Sequence, residues 1–504
     1  MTSISGLTSS ALMKAQMLVQ MQKQMNDLSL QLSTGKLTQS YAGLGIDRGL
    51  DVNVRGAMSR LGSYEDVIST VNTRVQLQTT SLEQLRTLQQ DMRSSMLPPL
   101  DFTLTANGQT TAQIQAGSSF AEALDALNQR AGSTYLFSGA ATNTPATDTA
   151  DHIMNGNGTA AGFKQIVAER LEADQGADQR GRLDAPAAAG DAVTLSEQNS
   201  GPFGFKIAGA TTTIPGATVT GPAGSPASLS IDLNGNNPAD GAKVIVQLNM
   251  PDGTQKTITL TASSETPPPS GSFAIGATAD DTAANIAGAL DGAIQTAGKT
   301  DLVAASAMAA SNDFFNIDAD HPPQRVSGTG PFYNATSLRD ATATDTVRWY
   351  TGDDATGDPR ASMTARVDDA ITVSYGVRGN EEAIRNAVQN FATLAVMSFS
   401  GSDPDAHDRY VALTQRAGDN LAANPAKQQI SAIETQIAGA NVSANAAQQR
   451  IDDRKPILQG ILDDIENVDP NEIGVKLLAM QTQIQASMQT TAMLSKLTLV
   501  NFMG

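Results

Sequence analysis

The stretch Leu28–Ser40, LSLQLSTGKLTQS, contains the predicted end of the first helix. Leucine and methionine residues lead up to it at alternating steps of three and four, a heptad seam typical of helices that pack against other helices. The seam consists of Leu18, Met21, Met25, Leu28 and Leu32. Gly35 can adopt the left-handed conformation that ends many helices. The sequence therefore predicts a helix that stops at Ser33–Lys36.

The same stretch contains a Gly-Lys pair, which also occurs in phosphate-binding loops. Such a loop needs a glycine five residues before the pair and a Ser or Thr directly after it. Leu30 and Leu37 occupy those positions instead. This stretch is therefore not a P-loop.

Two longer seams follow, one in each half of the chain. The first contains Ala57, Leu61, Tyr64, Ile68, Val71, Val75, Gln78, Leu82, Leu85, Gln89, Met92 and Met96. Pro98 and Pro99 are expected to end its helix. The second contains Ile430, Ile433, Ile437, Ala440, Ala444, Ala447, Ile451, Arg454, Leu458, Ile461, Ile465 and Val468. Both patterns predict long helices.

A last helix is predicted after the second long seam. Asp469 can cap its N-terminus, Pro470 suits the first helical position, and Glu472 lies three residues after the cap. The helix carries Ile473, Leu477, Met480, Ile484 and Met488. The chain thus runs short–break–long at its start and long–break–short at its end. Matching lengths predict that the two terminal helices pair, and that the two long helices pair.

The middle of the chain has a different pattern. A helix and a short strand are predicted within 118–142, and a brief helix over 163–172. From about 190 to 345, β-type alternation predominates. Residues 242–262 predict two strands joined by a turn at Pro251–Gly253, and 279–297 predict a helix. Stretches 346–354 and 365–379 predict another strand pair, before helical spacing resumes over 380–399.

Composition narrows the classes of function. Apolar residues make up 40% and aromatics 4% of the 504 residues, which favours thin cores over one large globule. The net charge of −18 argues against nucleic-acid binding. No cysteine is available for disulfides or thiolate chemistry. Neither a cleavable signal peptide nor an apolar run long enough to span a membrane is found, so no membrane insertion is expected.

Few residues suggest catalysis. Two acidic clusters could hold a hard cation, although neither matches the EF-hand spacing. One contains Asp318, Asp320 and His321, and the other Asp403, Asp405, His407 and Asp408. These clusters and His152 are interpreted as solvated loops. We therefore expect a non-enzymatic protein with no catalytic, cofactor or metal site.

The methionine-rich terminal seams allow two interpretations. They can form an ordinary core within one chain, or they can pack against neighbouring copies, since methionine suits adaptable interfaces. Ordering a residue costs about 1.5 kcal/mol, so an isolated terminal pair is marginal and subunit contacts would stabilise it. The predicted self-assembly residues are Met21, Met25, Leu28, Leu32, Leu477, Met480, Ile484 and Met488.

Several strings resemble one family. LSTGK at 32–36 is similar to the break after the first helix in the bacterial flagellin superfamily. GSTYLFSGAATNTPA at 132–146, WYTGDD at 349–354 and VSYGVRGNEEAIRNA at 373–387 resemble hook-associated protein 3, the hook–filament junction protein family. The resemblance covers roughly 1–175 and 345–504. The chain departs from flagellins in QLSTGKLTQSYAGLGID and in its ending LSKLTLVNFMG. However, many junction proteins are shorter, and the insertion is more flagellin-like.

The resemblance implies a mainly α fold with an inserted β-rich domain, in which the N- and C-terminal segments form a long coiled-coil-like helical bundle. The implied domains are an inner assembly domain (1–41 and 469–504), a helical rod domain (42–189 and 346–468) and a β-rich outer domain (190–345). It also implies an extracellular flagellar location after type III export without a cleaved signal. The implied partners are other copies of the chain, a hook-side junction protein, flagellin and an export chaperone.

Three alternatives are weighed against the junction protein. The first is flagellin itself, which forms the filament. The second is a type III secretion translocator or tip protein, which would need a membrane-inserting segment. The third is an enzyme carried in 190–345, which would need a convergent polar pocket.

Overall fold

A computed structural model describes residues 4–97 and 101–500, and the side chains of 12–97 and 101–493. The chain combines helices and small sheets, and about half of its residues are helical. Two compact units are formed. Unit 1 comprises the described residues of Met1–Thr70, Arg366–Thr372 and Val442–Gly504, and unit 2 comprises those of Val71–Ala365 and Val373–Asn441. The five predicted segments have other boundaries and stay predictions.

Helices form where the heptad seams predict them. They are α1 (Ile4–Thr34), α2 (Arg48–Ser95), α3 (Thr111–Leu127), α4 (Ala150–Asn155), α5 (Phe163–Gln175), α6 (Ala279–Lys299), α7 (Asp301–Phe315), α8 (Glu382–Val396), α9 (Ala406–Leu421), α10 (Ile430–Glu466) and α11 (Pro470–Val500). Short 3₁₀ helices span Tyr41–Asp47, Phe332–Asn334 and Pro359–Ser362. The predicted helices at both ends are therefore confirmed, while Pro98 and Pro99 lie outside the described residues.

The strands are mostly short. They are β1 (Arg130–Ala131), β2 (Thr134–Tyr135), β3 (Ala187–Ala189), β4 (Ala192–Ser196), β5 (Lys206–Thr212), β6 (Thr218–Ala223), β7 (Ser228–Asp232), β8 (Lys243–Asn249), β9 (Gln255–Ser263), β10 (Ser272–Ala274), β11 (Gln324–Val326), β12 (Leu338–Asp340), β13 (Thr364–Arg366) and β14 (Thr372–Ser374). Two four-stranded sheets have the orders β3-β4-β7-β6 and β10-β9-β8-β5. Their apolar faces share one buried core with α6.

Two of the predicted helix-end signals, Gly35 and Asp469, are confirmed. Gly35 has a φ of 69°, and its N–H donates to the Gln31 carbonyl at 2.8 Å, which is the left-handed helix ending. Asp469 Oδ1 accepts the Asn471 N–H at 2.8 Å at the start of α11. These caps satisfy backbone groups that have no partner inside the helix.

The middle of the chain matches its prediction in part. The hairpin of β8 and β9 and the helix α6 are confirmed. The helix expected within 118–142 is α3, which starts earlier at a capping box between Thr110 and Gln113. α7 follows α6 directly and is buried on almost every side. Such a helix shows no amphipathic period, so sequence reasoning missed it.

One predicted strand pair is wrong. No strand forms over 346–354 in the described structure; Thr346 and Tyr350 make only isolated bridges, to Ala161 and Thr147. Instead, β13 and β14 form a two-stranded sheet that lies almost entirely within the second stretch. Trp349 is fully buried, and its Nε1–H donates to the Phe315 carbonyl at 2.8 Å. Aromatic packing, and not strand pairing, therefore fixes the position of the first stretch.

Buried ion pairs hold the chain around α5 in unit 2. Arg170 donates to Asp174 at 2.8 Å and to Asp313 at 2.5 Å. Burial raises the pKa of both carboxyls even though Arg170 lies between them. Arg325 pairs with the neighbouring Glu169. Each charge has a partner here, as buried ions require, so the cluster is interpreted as structural.

Replacing Gly35 with alanine should destabilise unit 1 by about 1–2 kcal/mol, because a side chain disfavours positive φ. No atom lies within 4 Å of the added Cβ, so the cost is conformational. Urea unfolding followed by far-UV circular dichroism measures the change. Gly62→Ala in the interior of α2 is the control, since space is also open there. It should stabilise by about 0.5–1 kcal/mol. Equal effects of the two substitutions would contradict the conformational argument.

Candidate assembly site

The breaks at the two ends of the chain lie side by side in unit 1. The Leu37 N–H donates to the Glu466 carbonyl at 2.6 Å, and the Val468 N–H donates to the Gly35 carbonyl at 3.0 Å. Lys36 and Asn467 form an antiparallel bridge between these bonds. The end of α1 is therefore joined to the α10–α11 connection by backbone hydrogen bonds.

Charges reinforce the joined breaks. Glu466 accepts from Lys36 Nζ at 2.8 Å and also pairs with Arg55 of α2. Arg55 in turn lies 3.3 Å from the carboxylate of Asp51, which is fully buried. The Glu466 carboxylate thus connects Lys36, two residues after α1, with the first turns of α2 and the end of α10.

The helices that leave the joined breaks, α1 and α11, pack against each other. Met21 and Ile484 of the predicted assembly set are buried, as is Ile473. Met25, Leu28, Leu477 and Met480 are half-buried. Leu32 and Met488 are exposed, at 42% and 53%. The structure thus places all eight predicted residues on two packed helices and leaves two of them exposed to solvent.

A second set of apolar side chains on α1 and α11 is exposed to solvent. Its exposed members are Leu12, Met13, Met17, Val19, Leu30, Leu32, Val475, Leu478, Met488 and Met493. We call this set the outer apolar face. Val475 and Leu478 remain 68% and 66% exposed. Sequence reasoning missed both because they lie off the heptad seam.

The terminal helices carry few charges. Only Lys14, Lys23 and Asp27 lie within α1, and only Glu472, Lys476 and Lys496 within α11. Unit 1 has 12 Lys and Arg against 14 Asp and Glu, a net charge of −2. Unit 2 has 21 against 37, a net charge of −16. The acidity of the chain is therefore concentrated in unit 2, whereas unit 1 is nearly neutral.

A small loop closes one side of a groove in unit 1. Tyr64 Oη donates to Asp369 Oδ1 at 3.0 Å, a bond that raises the pKa of Tyr64. The Asp369 N–H and then Arg450 lower the pKa of Asp368. A depressed pKa contributes stability above the unfolded value of about 3.9 that is lost as the pH falls further. The groove holds about 280 Å³, and Ile457 beside it is 64% exposed.

The solvated-loop interpretation is wrong for His152, which lies in α4, and for His407 and Asp408, which lie in α9. The acidic clusters and His152 pair with neighbours in their own segments. His321 Nδ1 lies 2.8 Å from Asp318, and His152 Nδ1 lies 3.2 Å from Asp148. Arg409 donates to Asp403 at 2.8 Å. Within 4–97 and 101–500, no group of three or more His, Asp or Glu side chains is placed to hold a metal ion. None of the helices in these ranges is long and apolar enough to cross a membrane.

No protein-family model matches the chain, and no curated protein sequence matches it. The resemblance to flagellar proteins therefore rests on the strings quoted above.

Glu466→Gln should weaken the joined breaks, because glutamine keeps the size of the side chain but loses its charge. Lys36 and Arg55 are about half exposed, so we expect a loss of about 0.5–1 kcal/mol. Hydrogen exchange at Leu37 and Val468 should become faster by about twofold to fivefold. Asp453→Asn, an exposed charge removal on the same helix, is the control. Equal exchange in both variants would contradict a role for Glu466.

Proposed function

We propose that the chain is a non-enzymatic structural subunit of the bacterial flagellum that joins hook to filament, like hook-associated protein 3. The observation that carries the proposal is the outer apolar face on a nearly uncharged pair of terminal helices. The quoted strings that resemble junction proteins supply the flagellar context. Copies of the chain are the proposed occupants of this face.

Charge favours a second copy as the occupant. Like charges on identical surfaces repel, so a contact between copies is easiest where net charge is small. Unit 1 is nearly neutral, while unit 2 carries almost all of the excess negative charge. Self-association through unit 1 would bring together surfaces that carry little net charge.

The energetics favour several neighbours. Burying one large apolar side chain contributes about 1.5–3 kcal/mol. Association costs an estimated 4–15 kcal/mol in lost freedom and ordering. A contact that buries only a few members of the outer apolar face is therefore marginal. A helical polymer, in which each copy meets several others, would cover enough of the face to be stable.

The flagellin-like arrangement implied by the resemblance assigns roles to the segments. The terminal helices would form an inner assembly layer in coiled-coil-like packing, and the long helices the next layer. The inserted β-rich residues 190–345 would face outward. Partners would be other copies, a hook-side junction protein, flagellin and an export chaperone, at an extracellular location reached without signal cleavage.

Flagellin is the second candidate. The insertion between the helical ends is long for a junction protein. In a filament made of flagellin, every subunit exposes such an insertion along the filament. Both candidates use the terminal helices for assembly, so they differ in copy number and in position along the flagellum.

Leu478→Glu and Val475→Glu should prevent incorporation, because each places a charge on the outer apolar face. Both side chains are exposed, so the free subunit should keep its circular dichroism spectrum. Assembly is measured by electron microscopy and immunoblotting of detached flagella. Ile114→Glu, at a 47% exposed apolar residue of unit 2, is the matched control and should assemble. Normal incorporation of both unit 1 variants would contradict assembly through this face.

Charged substitutions at Leu32 and Ile484 should also block incorporation but for different reasons. Leu32 is exposed and would act on the contact between copies, whereas Ile484 is buried and would loosen the α1–α11 pair. Limited proteolysis distinguishes them, since only Ile484→Glu should speed cleavage in α1 and α11. Unit 2 should stay folded in both variants. Full assembly of either variant would count against the proposed inner assembly layer of terminal helices.

Quantitative peptide counting separates the two candidates. Long sheared filaments and hook-basal bodies are isolated from the bacterium that produces the protein. A junction protein should be present in few copies that remain near the hook. Thousands of copies along the filament would establish flagellin instead, and absence from both fractions would refute a flagellar role.

A further inference from the structure

The strand β9 has an open edge in unit 2. On one side it pairs with β8 from Gln255 to Thr261. On the other side β10 pairs only with Thr261–Ser263. Residues 255–260 therefore have a strand partner on one side alone. Open strand edges are sites where an extended peptide can add to a sheet.

The hairpin register shows which backbone groups are open. The Met250 N–H donates to Thr254 at 2.8 Å, and the Ala262 N–H donates to Ala242 at 2.7 Å. In an antiparallel pair the bonded residues alternate, so even-numbered residues of β9 bond to β8. Thr257 and Thr259 direct their N–H and C=O groups outward. The N–H of Thr261, two residues further along β9, also points outward, and it donates to the Gly271 carbonyl at 3.0 Å.

The chain itself does not extend β10 along this edge. Pro267, Pro268 and Pro269 precede β10 and have no N–H to donate. The chain then turns, and the Ser272 N–H donates to the Pro269 carbonyl at 3.1 Å. The edge from Gln255 to Leu260 consequently stays unpaired.

A cleft of about 750 Å³ follows the open edge. Thr257 and Ile258 both line it, although their side chains point to opposite faces of the sheet. Residues of opposite faces can line the same cleft because the edge of β9, and not one face of the sheet, borders it. Gly292 and Thr296 of α6 and Val411 and Gln415 of α9 form the other walls. A peptide strand added to the edge would lie in this cleft, beside these helix residues.

We propose that this cleft binds an extended, positively charged peptide segment of a partner protein as an added strand beside β9. Unit 2 carries a net charge of −16. Asp408 lines the cleft with its side chain 71% exposed and its Oδ1 3.4 Å from His407 Nδ1, and Lys256 in the same lining is paired with Asp301 at 2.5 Å. A second copy would bring the same negative charge. This inference is independent of the proposed flagellar function.

The test uses the full chain and the fluorescein-labelled peptide KVTVKVT, with the acidic EVTVEVT as comparison. Without peptide, the Thr257 and Thr259 amides should exchange hydrogen faster than those of Ile258 and Leu260. The basic peptide should slow Thr257 and Thr259 and should bind at least about tenfold more tightly than the acidic one. Absence of binding at about 1 mM, or equal binding of both peptides, would overturn the proposal.

Two pairs of variants locate the contact. Thr257→Pro removes an outward N–H and should weaken binding by about fivefold to tenfold, whereas Thr257→Val should not. Asp408→Lys should weaken binding of the basic peptide without touching the sheet. Asp419→Lys, the same exposed charge change three turns further along α9, should bind normally. Unchanged affinity in both Thr257→Pro and Asp408→Lys would overturn the site.

Discussion

The antiparallel contact between the two helix breaks is the constraint on which unit 1 depends. Lys36 and Glu466 are 430 residues apart in sequence, yet they form an ion pair between two backbone hydrogen bonds. The left-handed Gly35 ends α1 at the point where its carbonyl can accept from Val468. This contact places the end of α1 beside the start of α11. Because α1 ends and α11 begins at this contact, the two helices lie side by side and pack against each other.

Charge is distributed along the chain in a way that separates two tasks. Unit 1 is almost neutral and exposes leucine, methionine and valine on its terminal helices, while unit 2 carries the net negative charge. A neutral apolar surface suits contact between copies, and an acidic one keeps a protein soluble. The same acidity gives the open edge of β9 its preference for a basic peptide. The two proposed surfaces thus differ in the partner that each favours.

Sequence periodicity predicted the long helices. The seam of α2 is an example, since Leu61, Ile68 and Leu82 are all buried. Periodicity missed α9, although one face of that helix is buried. It failed for α7, whose residues are buried on nearly all sides and so show no alternation. It also failed at Trp349, because that residue is held by packing against Phe315 and not by a strand. The residues predicted for self-assembly all lie on α1 and α11, but the sequence did not show which of them are buried and which are exposed.

The sequence by itself determined the local structure of this protein: the seams of α1, α2, α10 and α11, the break at Gly35, the cap at Asp469 and the β8–β9 hairpin. These depend on neighbours within a few residues, which a sequence displays directly. Only the tertiary structure decided which apolar side chains remain outside the α1–α11 contact and which backbone groups of β9 stay unpaired. Burial and strand order are set by residues distant in sequence, so no local pattern records them.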